Sequence, residues 1–138
     1  MKAEEFAREW MAGHIDAYGD PAIDHIERVA KRVESTISTP AWLLPYATKV
    51  AWLHDVVEDT GKNFWHIREL FGAVVAEAVG AITRGDEGYF HYIERVKAHP
   101  VARAGKIADL LDHLGGAPHP PPGGLLKRYV KALDILLD

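Results

Sequence analysis

Apolar residues recur along this chain at helical spacing in one segment after another, and no segment alternates for the length of a β-strand. Ile23, Ile26, Ala30, Val33 and Ile37 form one such stripe. Residues 2 to about 17 predict a first helix, stopped near Gly19-Asp20-Pro21. Asp20 followed by Pro21 predicts the start of a second, with an N-cap and a proline at the first helical position. A third is expected from about 40 to 57, through Trp42, Leu43, Tyr46, Val50 and Leu53, ending at Thr60-Gly61. Asn63 is a cap for the next, which carries Phe64, Ile67, Leu70 and Phe71 before Gly72 interrupts. Val74, Val75, Ala78, Val79 and Ile82 continue the pattern as far as Gly85-Asp86. Segments 89–99 and 101–114 predict two further helices parted by Pro100. Residues 115–124, with Pro118 and Pro120 to Pro122, read as a polyproline-like loop, and 125–137 as an amphipathic helix that docks back. The expectation is an all-α, compact helical bundle forming a single domain over 1–138.

A chain of 138 residues suits one hydrophobic core. With no cysteine, disulfides, thiolate zinc sites and a cysteine nucleophile are excluded, so a bound metal would need histidine and carboxylate ligands. The net charge of -4 offers no basic field, and nucleic acid is not an expected partner. No apolar run approaches a membrane span, and Met1-Lys2-Ala3-Glu4-Glu5 does not read as a signal peptide. A cytoplasmic protein without a membrane partner is expected. The eight histidines are the compositional oddity.

Several of them are positioned. In Val50-Ala51-Trp52-Leu53-His54-Asp55-Val56-Val57-Glu58-Asp59-Thr60, apolar residues bracket His54 and Asp55 on both sides. An unpaired buried carboxylate costs several kcal/mol, and a divalent cation is an efficient compensation. On a continuous helix His54 would stack over Glu58, and Asp55 over Asp59, gathering an imidazole and three carboxylates around one spot. Asp109 is a lone acid in the apolar run Ile107-Ala108-Asp109-Leu110-Leu111. His25 lies at the edge of the second helix's stripe, where it can point toward another helix.

The order His25, then His54-Asp55, then Asp109 on three separate helices resembles the HD superfamily of metal-dependent phosphohydrolases. Trp52-Leu53-His54-Asp55-Val56-Val57-Glu58-Asp59-Thr60 is similar to the (p)ppGpp hydrolase domain of RelA/SpoT homologues and their small stand-alone relatives. The likeness continues in Ile67-Arg68-Glu69-Leu70-Phe71-Gly72, Val79-Gly80-Ala81-Ile82-Thr83-Arg84 and Lys106-Ile107-Ala108-Asp109-Leu110. Near the start it covers Ala12-Gly13-His14, Gly19-Asp20-Pro21 and His25, and in all it spans about 6 to 114. The resemblance implies an HD-type bundle and one divalent transition metal, Mn2+ first, held by His25, His54, Asp55 and Asp109. It implies that Glu58 and Asp59 lie beside the water that attacks phosphorus, and that the substrate is a small phosphorylated nucleotide such as guanosine 3′,5′-bis(diphosphate).

Two departures concern substrate contact. Where those hydrolases carry an Arg-Lys pair this chain has Asp16 and Ala17, and where they have asparagine, four residues after the last aspartate, it has His113. Lys106 and Arg103 stand one and two turns before Asp109 on the same face and read either as phosphate contacts or as solvated helix cations. Arg84 is a candidate of the same kind, and His113 a candidate for lining the site. His14, His66, His91 and His99 read as surface or capping histidines. Besides (p)ppGpp hydrolysis, three other readings stay open: a nucleotidase for a less charged nucleotide, a non-catalytic metal- and nucleotide-binding sensor, and a structural helical module.

Overall fold

The structure, a computed structural model, describes residues 2–35, 39–57 and 64–138, and among them no β-strand occurs. Among these residues lie α1 (Ala3–Trp10), α2 (Ala22–Ser35), α3 (Leu44–Leu53), α4 (Phe64–Phe71), α5 (Ala73–Ile82), α6 (Tyr89–Lys97), α7 (Pro100–Leu111) and α8 (Gly123–Leu137). The backbone widens into a π-type turn, Asp112–Gly116, directly after α7. The all-α expectation therefore holds. The caps Asn63 and Thr60-Gly61, the stripe residue Ile37, and both Glu58 and Asp59 lie outside the described residues.

The central element is α3, packed against α1, α2, α5 and α7. Its Ala47, Val50, Ala51, Trp52 and Leu53 are all buried, as a helix covered on several sides requires. Phe6, Ala7 and Met11 seal one flank of the core, with the Phe6 ring edge-on to Phe71 at 5.5 Å between centroids. Ile26, Val29, Ala30 and Val33 bury the apolar stripe of α2. Close approach of α7 to the core depends on Gly105. A Cβ there would meet the side chains of Val50 at 3.3 Å and Ile82 at 3.4 Å. The last helix docks on α6 and α7 through buried Ala132 and Leu136, as its amphipathic pattern predicts.

Several boundaries differ from expectation: the second helix starts at Ala22, past the expected Asp20 cap and Pro21, and the third at Leu44 rather than about 40. The first helix ends at Trp10 rather than near 17, because the chain turns at Gly13 with φ of +83°, a conformation open to glycine. The third stops at Leu53 and leaves His54 and Asp55 in a turn, with helical backbone resuming at 56–57. There the His54 ring donates from Nδ1 to the Ala51 carbonyl at 2.6 Å, the acceptor that the Asp55 amide would use in a continuing helix. The helix therefore does not run unbroken through His54 and Asp55, and the expected stacking over Glu58 falls outside the described residues. Finally, Pro100 is the first residue of α7 rather than a divider, and His99 caps that helix by accepting from the Ala102 amide.

Candidate metal centre

Three segments converge at one spot: α2 brings His25, the turn after α3 brings His54 and Asp55, and α7 brings Asp109. His25 Nε2 lies 2.8 Å from Asp109 Oδ1 and 3.9 Å from Asp55 Oδ2. His54 Nε2 lies 3.2 Å from Asp55 Oδ2 and 3.3 Å from Asp109 Oδ1. With metal–ligand bonds of 2.0–2.2 Å, neighbouring donors sit roughly 3.0–3.5 Å apart, a range that these separations of 2.8 to 3.9 Å bracket. His113 adds a nitrogen 3.4 Å from Asp109 Oδ1 and, with His25 and Asp109, makes a second, overlapping donor set.

The state of His54 tests whether the residues suit a cation. A carbonyl only accepts, so the contact with Ala51 requires the proton on Nδ1 and turns Nε2 into the lone-pair nitrogen of the neutral ring. Nε2 is buried, faces two carboxylate oxygens, and makes no hydrogen bond. A lone pair opposite carboxylates is repulsive unless a proton or a metal lies between. Burial pulls the His54 ring toward neutrality, but Asp55 and Asp109 outweigh it and carry its pKa well above the ordinary value. The donor set of two imidazoles and two carboxylates fits a divalent transition ion.

Around it stands a second layer that the sequence reading did not find. Asp112, fully buried, holds His25 Nδ1 at 2.6 Å. It is itself gripped by Arg28, through Nε at 2.9 Å and the terminal nitrogen at 3.1 Å. This is the carboxylate–histidine arrangement that orients metal-binding imidazoles. Burial lowers the affinity of His25 for a proton, yet its bonds to Asp109 and Asp112 raise the pKa to about 9. The signal was present: Asp112 is another acid beside apolar residues, three positions after Asp109, and Arg28 is three positions after His25.

The other expected site residues are distributed as follows. Lys106 Nζ binds the second oxygen of Asp109 at 2.8 Å. Burial opposes charge on both partners, but the pairing holds Lys106 well above its usual range and Asp109 well below. His113, in the π-type turn, packs its ring 4.5 Å from that of His25 and 5.2 Å from that of Tyr129. Arg103 turns away to the Leu136 carbonyl at 2.6 Å, and Arg84 lies over the Tyr89 ring at 5.5 Å. Tyr92 is buried, its hydroxyl donating to the Ile82 carbonyl. A cavity of about 530 Å³ opens beside the centre, reaching His25, Asp55 and His113 at its floor and Asp16 and Ala17 at its side.

The helical fold resembles that of HD-domain proteins. Over 98% of this chain and 83% of the other, it matches, with a TM-score of 0.70 and 20% identity, the solved structure of a metazoan ortholog of SpoT that hydrolyzes ppGpp and plays a role in starvation responses. No protein-family model matches the sequence, and no curated protein matches it. Among the described residues no helix is long and apolar enough to cross a membrane.

Proposed function

We propose that this chain is a metal-dependent phosphohydrolase acting on a small phosphorylated nucleotide. The observation that carries the reading is His54 Nε2, buried, without a hydrogen bond, and facing the oxygens of Asp55 and Asp109. His25, His54, Asp55 and Asp109 would hold the ion. When bound, a divalent transition metal, Mn2+ by the resemblance, would supply Lewis acidity at the phosphoryl oxygens and a water acidic enough to attack phosphorus at neutral pH. Asp112 retains the His25 proton on Nδ1, so that Nε2, now facing Asp109 Oδ1, would be the nitrogen that binds the ion. Lys106 offsets the charge on the remaining Asp109 oxygen. Glu58 and Asp59 follow His54 and Asp55 in sequence and serve as the acids beside the attacking water. One orients or deprotonates it, and the other passes a proton to the leaving group. His113, at the cavity floor, contacts the substrate. Hydrolysis of ppGpp, the activity named for the structural neighbour, is the first reaction to assay.

The test compares metal content and phosphate release in wild type, His54→Ala, Asp109→Ala and Glu58→Gln, all purified without chelator. The two alanine variants should lose both metal and turnover. Glu58→Gln should keep the metal and lose about a hundredfold in rate. Equal metal content in wild type and the alanine variants would end the reading.

A further inference from the structure

We infer that the cavity beside the centre takes a phosphomonoester with one phosphate and a flat, largely apolar organic part, in preference to a polyphosphorylated nucleotide. The inference rests on the phosphohydrolase reading and gives it a substrate class. Three features of the wall lead to it. The first is charge. Among the described residues lining the cavity there is no lysine, and the only arginine is Arg28, whose guanidinium is already bound to both oxygens of Asp112.

The second is a fixed negative charge at the side of the cavity. Asp16 Oδ1 accepts from the Tyr18 amide at 2.8 Å and the Asp20 amide at 3.0 Å, so the carboxylate is built into the turn. A substrate phosphate reaching that side would meet a like charge. One phosphate, carrying about −1.5 to −2 at neutral pH, can be met at the floor by the ion alone. Additional phosphates would find no free cation among the described lining residues and would approach Asp16.

The third is the shape and polarity of the far wall. The Tyr18 ring stacks on His119 with centroids 4.4 Å apart and planes 15° from parallel. Tyr18 Oη donates to the Pro120 carbonyl at 2.7 Å, and His119 Nε2 lies 3.2 Å from Asp20 Oδ2. These contacts tie the proline-rich loop across the cavity to the turn before α2. With Pro121, Leu125 and Tyr129 they present a fixed, mostly apolar surface, and the enclosed volume falls in the range of small-molecule sites. A planar base or aryl group matches such a wall; a second pyrophosphate does not. In the reaction, water adds to phosphorus and the ester P–O bond breaks with its electron pair going to the organic oxygen. One proton passes from the water to that oxygen, giving orthophosphate and the free alcohol.

The experiment measures kcat/KM with Mn2+ on the full chain for a series of nucleoside 5′-monophosphates, an aryl phosphate and ppGpp. At least one monophosphate should exceed ppGpp by tenfold or more. Asp16→Asn, which keeps an oxygen for the Tyr18 and Asp20 amides, should raise the ratio of ppGpp to monophosphate turnover several-fold. Independently of turnover, calorimetry should detect binding of an unphosphorylated nucleoside or phenol, weakened several-fold in Tyr18→Ala. Efficient ppGpp hydrolysis equal to or above every monophosphate, or the absence of any nucleoside or phenol binding, overturns the inference and leaves the hydrolase reading standing. Turnover of no phosphoester by folded, metal-loaded protein overturns the hydrolase reading, and the inference with it.

Discussion

At the scale of single residues, Asp112 shows how far the centre extends beyond its direct donors. Its oxygens bridge the His25 ring and the Arg28 guanidinium, and it has no exposed surface. Burial alone would raise its pKa, but the contacts with His25 and Arg28 lower it, so it stays a carboxylate. As a carboxylate it pulls the Nδ1 proton toward itself and makes Nε2 a better donor. Asn in its place keeps an acceptor for the ring but removes the charge. Asp112→Asn should weaken metal affinity by about 10- to 100-fold while leaving His25 in position. Metal titration of wild type and variant decides it, and unchanged affinity would reduce Asp112 to a packing residue.

At the scale of elements, the helices were legible because their apolar stripes repeat with the helical period and the core is built from those stripes. The boundaries were less so, since a helix ends where a competing contact captures its hydrogen-bonding groups, and such contacts come from the fold. His54 illustrates the point: its place among apolar residues marked it as a candidate, while the turn made by its own ring bond to Ala51 left no trace in the residue pattern. His54, Asp55 and Asp109 could be picked out because each is polar in an apolar run, and His25 because it stands at the edge of an apolar stripe. Asp112 escaped notice although it stands three positions after Asp109, because its partners His25 and Arg28 come from α2, far away in sequence. The cavity wall from Tyr18 to His119 was also illegible, being formed by two loops about a hundred residues apart. Helix α8 completes that wall from outside the centre, anchored by buried Leu136 and by Arg103 on the Leu136 carbonyl. Leu136→Ala should cost about 2–3 kcal/mol of stability, at the lower end for a buried leucine because a terminal turn can settle into the space. Its metal affinity should remain that of wild type, because the donors come from α2, α7 and the turn after α3. Chemical denaturation alongside metal titration separates the two effects, and a loss of metal binding would show that α8 supports the centre itself.

At the scale of the whole molecule, the proposed centre would couple metal, protons and folding. Without metal, two imidazoles held between carboxylates retain protons that they would lose in water. The folded-state pKa of His25, about 9, lies above its unfolded value of about 6.5. Its contribution to stability is therefore complete below pH 6.5 and is lost as pH rises through 9; for this one group it amounts to on the order of 3 kcal/mol. Asp55, Asp109 and Asp112 are shifted down, so their contribution is present above about pH 4 and is lost on further acidification. The metal-free protein should accordingly be most stable between about pH 4 and 6.5 and weaken toward pH 9. Metal would take the place of protons on His25 and His54, so binding at pH 7.5 should release protons. It should also raise the melting temperature most on the alkaline side, where the protons no longer support the carboxylates. Calorimetric titration with Mn2+ in buffers of different ionisation enthalpy counts the protons, and thermal melts with and without metal from pH 5 to 9 follow the stability. A metal-free protein that grows more stable from pH 7 to 9, or metal binding that releases no proton at pH 7.5, would show that His25 and His54 are already neutral and that protons do not hold the empty centre together.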